Sequence, residues 1–191
     1  MRTCVFFAVL GVVAIAPPTT LHAAPVDTGV PDAKFVPIFN GEDLTGWRGL
    51  NPHRPAYDKF VALPSAEREK LVAEWTEDAR KHWSVEHGEL VNDGHGAYLA
   101  TNKDYGDYIL KIEYKTVPKA DSGIYLKGVP QVQIWDSTNP AKSSNGEDKG
   151  SGGLWNNSKG APGKDPLVVA DRPFGEWNSF VIIQTGARTT V

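Results

Sequence analysis

The chain has 191 residues, with 20 basic and 23 acidic side chains and a net charge of −3. No basic stripe is present, so the charge pattern excludes a nucleic-acid-binding surface. The one cysteine, Cys4, excludes a disulfide framework, while 19 glycines, 14 prolines and six tryptophans suit one turn-rich all-β domain with its own core.

The N-terminus reads as a secretory leader. Arg2 supplies the positive end, residues 5–15 are apolar, and small residues close the segment near position 23. The apolar run is too short to span a bilayer. Cys4 precedes that run instead of marking the cleavage site, which argues against a lipid anchor. The expected protein is secreted or periplasmic, with no membrane contact once the signal peptide (1–23) is removed. Residues 24–34 read as a Pro-containing linker, and 35–191 as the folded domain.

In that domain, 35–39 reads as a strand and 40–47 as a turn-rich segment. Segment 48–61 reads as loop because Pro52 and Pro55 interrupt it and Pro64 follows. Ser65–His82 is the convincing helix. Ser65 can cap it, Glu67 and Glu69 lie in its first turn, and Leu71, Trp75 and Ala79 recur at helical spacing. It is expected as an insertion packed on the edge of the sandwich. Residues 83–91 read as a hairpin turning at His87-Gly88, and 97–101 as a strand.

Segment 107–136 carries the strongest pattern, three consecutive strands with alternating character. Tyr108, Leu110, Ile112 and Tyr114 alternate with Lys111, Glu113 and Lys115. Ser122, Ile124 and Leu126 alternate with Asp121, Gly123, Tyr125 and Lys127. Val132 and Ile134 alternate with Gln131, Gln133 and Trp135. Strand side chains switch faces at every residue, so the polar and aromatic groups are expected on one shared face. Carboxylate, carboxamides, phenol and indole are groups that bind sugars.

A long polar segment follows from 137 to 166, with six glycines and the short apolar insert Gly153-Leu154-Trp155. Residues 167–170 and 177–184 read as strands, and 185–191 as a turn entering another strand. The chain stops there, so the domain is expected to be C-terminally truncated.

The matching elements now stand in order. They are Phe39-Asn40-Gly41-Glu42-Asp43-Leu44-Thr45-Gly46-Trp47, Trp83-Ser84-Val85 with Gly88-Glu89-Leu90, and Asp107-Tyr108-Ile109-Leu110-Lys111-Ile112-Glu113-Tyr114. Asp121-Ser122-Gly123-Ile124-Tyr125-Leu126, Val132-Gln133-Ile134-Trp135-Asp136 and Gly175-Glu176-Trp177-Asn178 complete them. On these residues the chain resembles the bacterial 3-keto-disaccharide hydrolase domain family, formerly a domain of unknown function. The resemblance implies a concanavalin A-like lectin/glucanase jelly roll. It departs from the family pattern at Lys127, where arginine is usual, and at Gln131, where glutamate is usual.

The resemblance also implies a sugar substrate already oxidised to a ketone at C3. That ketone acidifies the C2 hydrogen, so a base, a donor for the enolate oxygen and an acid for the leaving group suffice for cleavage by elimination and hydration. Glu113 and Asp136 are the catalytic candidates. Tyr125, Gln131, Gln133, Lys127, Asp121, Trp155 and His95 are the substrate-binding candidates. No cofactor pattern is evident. The histidines are scattered without an HExxH motif, and a calcium ion would draw on Asp136, Asn139 or Asp148. Three function classes remain: an exported glycoside hydrolase or lyase acting on 3-keto-glycosides, a non-catalytic carbohydrate-binding module, and a structural sandwich domain.

Overall fold

The computed structural model describes residues 4–9, 35–51 and 53–191. Among them lie β1 (Cys4–Val9), β2 (Trp47–Leu50), α1 (Tyr57–Ala62), α2 (Ser65–His82), β3 (Trp83–Glu86), β4 (Glu89–Asn92) and β5 (Tyr98–Thr101). Then follow β6 (Tyr108–Thr116), β7 (Asp121–Tyr125), β8 (Gln131–Trp135), β9 (Asn178–Thr185) and β10 (Arg188–Thr190). A six-stranded antiparallel sheet runs β10-β9-β6-β1-β4-β3, and two antiparallel pairs, β2–β5 and β7–β8, stand apart from it. The class is all-β, a jelly-roll sandwich with a helical insertion between β2 and β3. No helix among the described residues is long and apolar enough to cross a membrane.

The core forms where two alternating patterns meet. Leu110 and Ile112 of β6 and Ile182 of β9 are buried against Leu126 and Val132, while Tyr114 packs with Ala120 and Ile134. Each such side chain gains about 1.5–3 kcal/mol on burial. The β7–β8 hairpin therefore lies with its aliphatic face on the six-stranded sheet. Residues 152–155 run along the free side of β8. There Gln133 N–H donates to Gly153 O, Gly152 N–H to Gln133 O and Trp155 N–H to Gln131 O, each at 2.9 Å.

This packing corrects one expectation. The polar residues of 107–136 do not share a face. β6 belongs to the large sheet and β7–β8 to the pair packed on it, so their polar sides point in opposite directions.

Other local expectations also change. Segment 35–39 holds a single bridge residue, Pro37, and no strand; proline offers no N–H to a ladder. Segment 48–61 is not loop but contains the end of β2 and most of α1, with Pro55 just outside the helix. Pro64, not Ser65, occupies the cap position of α2, and no side chain caps the helix. Segment 167–170 forms no strand, and Leu167, Val168 and Val169 are exposed. The bounds of α2 and the hairpin turning at His87 (φ 54°) and Gly88 (φ 79°) agree with the sequence pattern.

Of the expected leader and linker, residues 1–3 and 10–34 lie outside the described residues. β1 falls within the leader and pairs Val5 with Val91 of β4 and Phe7 with Glu113 of β6.

Two contacts fix how the loops sit on this frame. Gly49 of β2 meets α2 so closely that a Cβ there would lie 2.1 Å from Trp75 O, and its N–H donates to Thr76 Oγ1 at 2.9 Å. Asp136, just past β8, is 4% exposed. Its carboxylate accepts from Lys119 N–H at 2.7 Å, Thr138 N–H at 2.9 Å and the Thr138 hydroxyl at 2.6 Å. Burial pushes its pKa up, but these donors outweigh burial and hold it below the usual value.

Gly49→Ala is expected to lever α2 off β2 and cost about 1–3 kcal/mol in denaturant unfolding, the usual scale of overpacking. The Asp136 contribution is present above the ordinary aspartate value of about 4 and is lost as pH falls through the lower folded value. Asp136→Ala is therefore expected to lose about 1–3 kcal/mol at pH 7 and to weaken the acid dependence of stability, read from unfolding midpoints between pH 7 and pH 2.

Candidate functional site

A cleft of about 650 Å³ runs along the β7–β8 hairpin and β5 and reaches inward to the core side chains Leu110, Ile112 and Leu126. It is bounded by β5, by Tyr57 and Phe60 of α1 and by the hairpin. Asp121, Tyr125 and Gln131 line it from the hairpin, and Tyr98 lines it from the start of β5.

A short turn completes the constellation. His53 N–H donates to Asn51 Oδ1 at 3.0 Å, and His53 bridges to Ala56, which folds the segment back toward the sheet. This brings His53 Nε2 to 3.2 Å from Tyr98 Oη and 3.4 Å from Tyr125 Oη. The two phenol rings stack at 5.9 Å with planes 20° apart, and the imidazole meets each ring edge-on. Nε2 can hydrogen-bond to one phenol at a time, donating or accepting according to its protonation. The other hydroxyl is then available to a ligand.

Electrostatics keep these phenols protonated. Burial pushes Tyr98 up, and the Asp121 charge adds to it. Burial pushes Tyr125 up as well, followed by its neighbour Tyr98 and by Asp121. Asp121 Oδ1 accepts from Gln133 Nε2 at 3.0 Å, so the amide beneath the face steadies the carboxylate. Asp121 and two neutral phenols thus line the cleft, and His53 meets both phenols from beside it. Such a set can accept a carbon-bound proton, donate to an oxyanion and return a proton.

The expected site residues divide. Asp121, Tyr125, Gln131, Lys127 and His95 all border the cleft. Gln133 is buried directly below, at 3% exposure, and acts on the cleft through Asp121. Lys127 turns its ammonium away, to Gly186 O at 3.1 Å and Asp107 Oδ1 at 3.6 Å. His95 sits at the rim, its ring 6.0 Å from that of His82, which holds Asp93 at 2.9 Å. Trp155 lies elsewhere, edge-on to buried Trp135 at 5.4 Å and under Lys164, beside a gap of about 10 Å³.

The catalytic candidates are not brought to this cleft. Glu113 lies on the outward side of the six-stranded sheet, across the core, on the side where Lys115 pairs with Glu89 at 2.9 Å. Asp136 is occupied by the turn it holds. As for calcium, Asn139 Oδ1 already accepts from Ala141 N–H at 3.2 Å. Among the described residues no group of three His, Cys, Asp or Glu side chains is placed to hold a metal ion.

Sequence reasoning missed Tyr98 and His53 as site residues. Tyr98 opens an ordinary strand pattern, and His53 stands in a segment read as loop. The available signal was Asn51, whose side chain caps the turn that aims His53.

A curated 3-keto-disaccharide hydrolase from Bacteroides thetaiotaomicron is 24% identical over 198 residues, which cover 90% of this chain. The chain spans 60% of the length of that relative. No solved structure matches significantly. The family model described as the 3-keto-alpha-glucoside-1,2-lyase-like domain matches residues 34–191, and the chain belongs to that family.

Proposed function

We propose that this protein cleaves 3-keto-glucosides, including 3-keto-disaccharides, by elimination followed by hydration in the cleft of His53, Tyr98, Asp121 and Tyr125. The observation that carries the reading is the convergence of two phenols on one imidazole, on the side of the β7–β8 hairpin that also carries Asp121. Family membership and the name of the relative supply the substrate class.

Each group has a role that follows from its position. Asp121 takes the C2 proton, which the C3 ketone has made acidic. The electron pair moves onto the C3 oxygen, where a phenol O–H donates to the developing enolate. Collapse of the enolate restores the ketone, makes the C1–C2 double bond and breaks the bond from C1 to the leaving oxygen. That oxygen takes its proton from His53. Water then adds its hydroxyl at C1 and gives its proton back to His53, Asp121 returns its proton to C2, and the free 3-keto sugar results with both residues restored. Direct displacement needs two carboxylates facing the same bond. Asp104, the other carboxylate on the cleft, is exposed at the rim beside Arg48 at 3.8 Å, which disfavours that route.

The N-terminal pattern supports an exported enzyme. Cleavage near residue 23 would remove β1 from between β4 and β6.

The mechanism is tested with methyl 3-keto-glucoside deuterated at C2. A primary isotope effect, and product carrying solvent deuterium at C2 when unlabelled substrate is run in heavy water, are expected. The unoxidised glucoside should be inert. Asp121→Asn should lower kcat by about 10²–10⁴, and Tyr98→Phe or Tyr125→Phe each by about 10². Turnover with the C2 hydrogen retained would refute elimination, and binding without turnover would mark a carbohydrate-binding module. For export, the N-terminus of the protein recovered outside the cytoplasm should begin near residue 24; a cytoplasmic protein with Met1 intact would overturn it.

A further inference from the structure

Resting on that reading, we infer that the helical insertion forms the leaving-group subsite, and that this subsite takes a flat, apolar, aromatic aglycone in preference to a second sugar. The turn that aims His53 continues straight into α1. Four residues beyond His53, the Tyr57 ring covers the β7–β8 turn. It lies so close that a Cβ on Gly128 would fall 2.1 Å from a ring carbon. Gly128 also holds a φ of +89°, so both space and backbone favour glycine there.

Behind Tyr57 the wall is carbon. Phe60 packs 6.2 Å from Tyr57, and Trp75 of α2 packs 5.3 Å from Phe60. Tyr57, Phe60 and Leu50 all border the cleft. Lys127 adjoins this turn in the chain, yet its ammonium is drawn off to Gly186 and Asp107. A second sugar would bring a ring of hydroxyls to a wall that answers few of them. An aromatic ring would stack on Tyr57 and shed water from both faces.

The test compares three 3-keto-glucosides on the full chain: methyl, benzyl and glucosyl. Benzyl is chosen because benzyl alcohol and methanol are nearly equal in acidity, so leaving-group acidity does not separate those two; a sugar hydroxyl is more acidic, which works against the expected order for glucosyl. We expect kcat/KM for benzyl to exceed that for methyl by about tenfold, equivalent to about 1.4 kcal/mol, and to exceed that for glucosyl. Tyr57→Ala should erase most of the benzyl-to-methyl ratio, and Tyr57→Phe should keep it. Equal rates for benzyl and methyl in the unaltered protein, a preference for glucosyl, or a ratio indifferent to Tyr57→Ala would overturn the inference while leaving the elimination reading standing. Failure to turn over any of the three would defeat the elimination reading and this inference with it.

Discussion

The seating of the β7–β8 hairpin on the six-stranded sheet governs this structure. Val132 and Ile134 reach zero exposure, and with Leu126 they close the core over Leu110, Ile112 and Ile182. Aliphatic side chains cannot leave that contact without giving up several kcal/mol of burial. A strand that commits one face to the core must present the other to the cleft. Asp121, Tyr125 and Gln131 therefore face outward together, with Gln133 held just below them.

The site is then finished by pieces that the sandwich alone does not supply. β5 brings Tyr98, and β5 is held by β2, which is pressed against α2 through the bare backbone of Gly49. The turn before α1 brings His53. Asp78 of α2 accepts from Ala97 N–H at 2.8 Å, and Trp83 Nε1 donates to Ala97 O at 3.0 Å, so the residue before Tyr98 is clamped from both sides. The insertion thus does more than cover an edge. It sets one phenol, delivers the imidazole and lays Tyr57 over the hairpin turn.

Charge follows the same division. On the outward side of the large sheet, Lys115 meets Glu89 and stacks over Trp177 at 4.2 Å, and Lys111 stacks over Phe35 at 4.2 Å. On the hairpin side, burial and then the Asp121 charge raise the proton affinity of Tyr98, and burial, Tyr98 and Asp121 that of Tyr125.

By itself the sequence determined the elements with strong periodicity: α2, the β3–β4 hairpin, and the inward and outward sets of β6, β7 and β8. It also determined Asp121, Tyr125 and Gln131 as neighbours on one face, because a two-residue period and a short turn leave no other arrangement. Only the tertiary structure decided which sheet each strand joins. That choice set Glu113 on the far side of the core, although its local pattern matches that of the hairpin. The same holds for Asp136, whose acceptors are filled by Lys119 and Thr138, and for Trp155, which turns to Trp135. Tyr98 and His53 reach Tyr125 across 27 and 72 positions of chain. Periodicity is a property of neighbours in sequence and carries no record of such distant encounters, which are decided by packing.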